Sequence, residues 1–178
     1  MSMKSARTSI RKSAGMTLVE LLMVLVVVGI LVAVALPSMR VHLANSDIRG
    51  VADELRSGLE LARTEAIRRN TSVQFQRDGT GWTIVVPGAD AGQDLLVARR
   101  ATRQAQVAVT ADVDIISFSG SGWTTPFGRS MSINLQAPEI SACRPQGGVY
   151  CLNVVVAAGG LVRSCDPAAQ AGTPTACG

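Results

Sequence analysis

Lysine is missing from this chain after Lys12, and every later cation is arginine. Histidine is almost as scarce. With His42 alone, no Ser, His and Asp set for nucleophilic catalysis and no His-rich metal site can be assembled. No C-x-x-C pair occurs among the four cysteines, and the gaps between them do not fit a zinc site. No glycine-rich loop opens a helix, because Gly120, Ser121 and Gly122 fall between strand-like segments, so a phosphate-cradling fold is excluded. Aromatic residues are 3% of the chain, which leaves little stacking surface for nucleic acid. These gaps argue against an enzyme, and the sequence implies neither a metal nor a cofactor. The formal charge of +4 also vanishes on inspection. Four of the 17 basic residues, Lys4, Arg7, Arg11 and Lys12, precede residue 15, and the remaining 13 equal the 13 acids.

What the chain does have is a long apolar run. Met16 to Leu36 is almost uninterrupted hydrocarbon, with Glu20 near its front and Pro37 closing it. As a helix rising about 1.5 Å per residue it would span about 30 Å, the hydrocarbon thickness of a bilayer. The basic segment before it belongs on the cytoplasmic side, which places everything after Pro37 outside. A cleaved secretory signal with an Ala33-Val34-Ala35 site is the competing reading, although the run is longer than such signals need. An acid inside an apolar run is costly and marks Glu20 as a functional candidate.

Beyond Pro37 the pattern turns amphipathic. Val41, Ala44, Ile48, Val51, Leu55, Leu59, Ala62 and Ala66 recur at helical spacing. On the other face Arg49 with Asp53, Arg56 with Glu60 and Glu65 with Arg69 form opposite-sign pairs four apart. The spacing predicts one helix continuing to about Asn70. From Thr71 the period becomes two, predicting strands at SVQFQ, GWTIVV, DLLVARR, IISFS, SMSINL and YCLNVVV, with a hairpin turn at Asp78–Gly81. The fold class expected is α+β, a long N-terminal helix packed on a C-terminal antiparallel β-sheet domain. Its core should hold Ile48, Val51, Leu55, Leu59, Ala62, Val73, Phe75, Ile84, Val86, Ile116, Phe118, Ile133, Leu135, Val154 and Val156. Cys143, Cys151, Cys165 and Cys177 allow three disulfide pairings; the local pairs 143–151 and 165–177 are favoured, and 151–165 is the alternative.

The stretch Gly15-Met16-Thr17-Leu18-Val19-Glu20 and the apolar helix after it resemble the class III signal of type IV pilins and pseudopilins. Met16 stands where the family usually has Phe. The resemblance implies a leader at 1–15 cut after Gly15 by prepilin peptidase, N-methylation of Met16, and a transmembrane helix at 16–36. It further implies an amphipathic continuation at 37–70 and a periplasmic β-rich domain at 71–178. Glu20 and Pro37 then become assembly residues, and other pilin subunits become partners through the N-terminal helix. LELARTEAIRRN at 59–70, then ISFSGSGWTTPFG and NVVVAAGGLVRSCDP, are similar to H-type pseudopilins of type II secretion and to FimT and FimU minor pilins.

The expected function is that of a minor pilin in or priming a type IV pilus, anchored by a single pass in the bacterial inner membrane. An H-type pseudopilin of type II secretion is the alternative. A third reading is a DNA-binding minor pilin. The resemblance weighs against it, because Gly160, Leu161, Val162 and Arg163 lack the first arginine of a G-R-x-R motif. Arg99, Arg100, Arg103 and Arg163 are the candidate polyanion contacts.

Overall fold

In the computed structural model the described residues are 16–88, 93–101, 106–125 and 129–177. They form two compact units that divide between Ser38 and Met39, with helix α1, Leu18–Arg69, contributing residues to both.

The first unit is apolar helix. It begins where Thr17 supplies a cap, its hydroxyl accepting the Glu20 backbone N–H at 3.3 Å, the T-x-x-E pattern of a capping box. Pro37 lies inside α1 and has no N–H to give the turn before it. Ser38 supplies a nearby donor, its hydroxyl donating to the Ala35 carbonyl at 2.9 Å.

In the second unit nine strands follow the helix: β1 Val73–Asp78, β2 Gly81–Val86, β3 Leu95–Arg100, β4 Ala108–Ala111, β5 Ile115–Phe118, β6 Thr124–Thr125, β7 Met131–Gln136, β8 Leu152–Val156 and β9 Val162–Cys165. They form not one sheet but two, ordered β3-β2-β1-β5-β6 and β4-β7-β8-β9, with every pairing antiparallel. The division arises because β4 joins β7 while β5, three residues later, returns to β1. Arg77 ties the two sheets, donating to the Val109 carbonyl at 3.5 Å and pairing with Asp114.

α1 packs its buried stripe against this core. Ile48, Val51, Leu55, Leu59, Ala62 and Ala66 are fully enclosed with Phe75, Ile84, Ile116, Phe118, Ile133, Leu135 and Val154. Every expected core residue is buried except Val86, which is half-buried at the end of β2. Trp82, Val149, Met131 and Val162 complete the core. The helix stops by chain geometry at Asn70, whose φ of 49° is left-handed. Asn70 N–H donates to Ile67 O and Thr71 N–H to Ala66 O, both at 3.2 Å, which is a Schellman closure.

Candidate functional site

The first unit presents an apolar surface with nothing covering it. Residues from Met16 to Leu36 are exposed, and an 18-residue window reaches a mean hydropathy of 3.0 with none of it buried. That is far more contiguous apolar surface than a water-soluble protein leaves open, and its length suits a bilayer. Glu20 occupies the first turn, where the positive end of the helix dipole favours a carboxylate, and Met16 lies one residue before the Thr17 cap. Gly15 lies outside the described residues.

The start of the second unit is braced by the β7–β8 connection. Asn45 reaches out of α1, accepting the Tyr150 N–H at 2.7 Å and donating to the Gly148 carbonyl at 3.5 Å. Gly148 lies against Val41, so that a Cβ there would meet Val41 Cγ1 at 3.1 Å. A disulfide between Cys143 and Cys151 closes this loop. On its outer side the Arg144 guanidinium stacks 3.6 Å from the Tyr150 ring centre, and Arg49 approaches the same ring at 5.7 Å. Arg49 thus faces Tyr150, and no Arg49–Asp53 ion pair is found among the described residues. Asn45 has no signal in the sequence, because its partners lie about a hundred residues away.

Farther along α1 two of the expected charge pairs form, Arg56–Glu60 at 2.9 Å and Glu65–Arg69 at 2.8 Å. Arg68 also binds Glu65, at 2.7 Å. Hydrogen bonds from Arg68 and then Arg69 hold the Glu65 carboxyl down at about 2. Arg63 instead donates to the Gly122 carbonyl at 3.1 Å, where the β5–β6 turn meets the helix. Gly160, with a φ of 77°, completes this corner; a Cβ there would run into the Gly122 carbonyl.

The candidate polyanion residues do not form one surface. Arg99 pairs in register with Thr83 and Arg100 with Trp82, so the two guanidiniums leave opposite faces of β3. Arg100 borders a small groove of about 190 Å³ beside Asp53 and Glu54. Arg163 is engaged internally, donating to the Cys177 carbonyl at 2.7 Å, and the Cys165–Cys177 disulfide fixes the tail it holds. Arg103 lies outside the described residues. Beside Gly160 and Leu161 the chain forms a groove of about 280 Å³ whose lining includes Glu60 as well as Arg56 and Arg63. Among the described residues no group of three or more His, Cys, Asp or Glu is placed to hold a metal ion.

No curated protein matches the chain. Among solved structures it is similar to the type IV minor pilin FimU of Pseudomonas aeruginosa strain PAO1 in two crystal forms. One match has a TM-score of 0.55 at 17% identity and covers 66% of this chain and 87% of FimU. The other has a TM-score of 0.53 at 15% identity and covers 65% and 90%. At such identities the likeness establishes the fold. Residues 10–36 match the family model of the prokaryotic N-terminal methylation motif. Residues 51–160, well over half of the chain, match the family model described as type II transport protein GspH, and the chain belongs to that family.

Proposed function

We propose that this chain is a minor pilin of the type IV pilus, an assembly protein and not an enzyme. Prepilin peptidase cuts after Gly15, Met16 is methylated, and residues 16–36 hold the protein in the inner membrane with residues 71–178 in the periplasm. The observation that carries this reading is a fully exposed apolar helix, matching the methylation motif, ahead of a folded unit of the FimU fold. In the membrane that helix faces lipid. In a filament it faces the equivalent helices of other subunits, so one surface serves both states.

Glu20 has a defined part in this account. A carboxylate in a low-dielectric layer needs a counter-charge, and the methylated Met16 amine, within the chain or in a neighbouring subunit, supplies one. Replacing Glu20 by Val should leave the protein processed and membrane-resident while removing it from sheared filaments. Normal recovery of E20V in filaments would refute the role.

The GspH family match supports a second reading, an H-type pseudopilin of type II secretion. Loss of surface pili with intact secretion in a deletion strain supports the first; loss of secretion with intact pili supports the second. A DNA-binding role draws little support from the arginines, because Arg99 and Arg100 diverge and Arg163 is engaged by the tail.

A further inference from the structure

The groove beside Arg100 holds polar groups that the fold leaves unanswered. It has a volume of about 190 Å³ and is lined by Asp53, Glu54, Ser57, Trp82 and Arg100. Trp82 is 8% exposed, and its Nε1 is buried with no acceptor. Cε2, the carbon that carries Nε1, lies 2.7 Å from a Cβ built on Gly58, so the N–H edge of the indole runs along the turn of α1 that bears Glu54 and Ser57. Arg100 pairs with Trp82 in register and stands on the same face of the sheet. Among the described residues, Asp53, Glu54 and Arg100 form no ion pair with one another or with any other group. A buried indole N–H usually finds a partner, and this one does not find it within the fold.

The mix of charges identifies what fits. Two carboxylates against one guanidinium leave the groove negative. A free carboxylate would answer Arg100 and the indole but meet two like charges. An ammonium alone would answer the acids and leave the indole N–H without an acceptor. An apolar side chain would leave every polar group unpaired. The group that answers both signs and is itself cationic is an ammonium joined through one carbon to a carbonyl, which is the amino terminus of a polypeptide. The ammonium brings three donors to the carboxylates, and the first carbonyl oxygen is an acceptor for the indole and the guanidinium. The volume equals that of about six waters, the room of a single residue. Asp53, Ser57 and Arg100 at the rim are exposed, so they can turn aside to admit it.

We propose that this groove captures the free amino terminus of a partner protein, with Asp53 and Glu54 holding the ammonium and Trp82 Nε1, beside Arg100, donating to the first carbonyl oxygen. Capture of a terminal amine is an established mode of peptide recognition. All five residues belong to the second unit, and the site does not depend on how the chain is anchored or which filament it joins.

Glycinamide, an amine and a carbonyl on one carbon, is the smallest probe, and the indole N–H reports on it directly. Trp82 and Trp123 are the only tryptophans, so Trp123→Phe leaves a single indole signal in the nitrogen–proton NMR spectrum of the detergent-solubilised full chain. Millimolar glycinamide should move that signal downfield and saturate, as an N–H does on gaining an acceptor. N-acetylglycinamide, which lacks the cation, and ethylamine, which lacks the carbonyl, should leave it in place. The Asp53→Asn, Glu54→Gln double variant should bind glycinamide more weakly, by up to about fivefold for each carboxylate. Its backbone amide spectrum shows that it is folded. Glu139→Gln, outside the groove, should bind as wild type does. An indole signal that no probe moves overturns the proposal, as does undiminished binding by the double variant. An equal response to ethylamine also overturns it, because the acids then accept any cation. Tighter binding of glycine than of glycinamide overturns it too and assigns the groove to free amino acids.

Discussion

Two glycines of α1 should respond oppositely to the same substitution. Gly58 sits where the helix comes nearest to the β1–β2 hairpin, and a Cβ there would lie 2.7 Å from Trp82 Cε2, 2.9 Å from Phe75 Cε2 and 3.0 Å from Trp82 Cδ2. Gly50, two turns earlier, has nothing within 4 Å of the same position. Replacing a helix-interior glycine by alanine gains about 1 kcal/mol from reduced backbone freedom alone. Gly50→Ala should realise that gain. At Gly58 the added methyl must displace two aromatic rings, and Phe75 is fully buried and Trp82 only 8% exposed, so neither has room to yield. Overpacking of this kind costs about 1–3 kcal/mol, and two rigid rings place it near the upper end. The net effect of Gly58→Ala is then a loss of about 2 kcal/mol. At about 3 °C per kcal/mol, thermal melts of the detergent-solubilised full chain should show Gly58→Ala about 6 °C below wild type and Gly50→Ala about 3 °C above it. Tryptophan fluorescence, from buried Trp82 and half-exposed Trp123, follows the transition. If both variants shift the same way, the close helix–hairpin contact does not exist as described.

Two further outcomes follow from particular contacts. Asn45→Ala should leave the Tyr150 N–H without its acceptor, lower stability by about 1–3 kcal/mol, and raise proteolysis within residues 141–150 more than elsewhere. Glu65 should make stability depend on acid: its carboxyl is held at about 2, below the ordinary 4.5. A depressed carboxyl stabilises the fold fully above its unfolded value and loses that contribution as pH falls from about 4.5 toward 2. The melting difference between wild type and Glu65→Gln should therefore narrow across that interval. A difference independent of pH would show that Arg68 and Arg69 do not set the carboxyl.

Period and punctuation carried much of the fold. Residues 41–66 repeat at helical spacing with large apolar side chains, and nearly all of that stripe is buried because a sheet lies beneath it. Strands β1 and β7 alternate strongly enough to be read directly, and β2 and β8 are read from their runs of valine and isoleucine. Three others lack that signal: β4 has four small or polar-flanked residues, β6 has two, and β9 is VRSC, buried only at its ends. Their strand state comes from partners elsewhere in the chain, which is also why the division into two sheets is not legible in the sequence. The same holds for the site. Glu20 stands out as an acid in an apolar run, whereas the Thr17 cap on its backbone N–H emerges only in the structure. Asn45, Arg144 and Tyr150 meet only after the β7–β8 loop folds back on the helix. Neighbouring Arg99 and Arg100 read as a cluster in one dimension and separate because strand side chains alternate.

The leader account makes an unusual chemical demand on the purified protein. Lys4 and Lys12 are the chain's only lysines, so cleavage after Gly15 removes every side-chain amine, and methylation converts the one remaining amine from primary to secondary. Intact-mass analysis combined with a fluorogenic reagent specific for primary amines tests both steps on a single sample. The account predicts a chain beginning at Met16, one methyl group heavier than its sequence, that gives no primary-amine signal. A chain that retains Lys4 and Lys12, or one that begins after Ala35 with a reactive amino terminus, would contradict it.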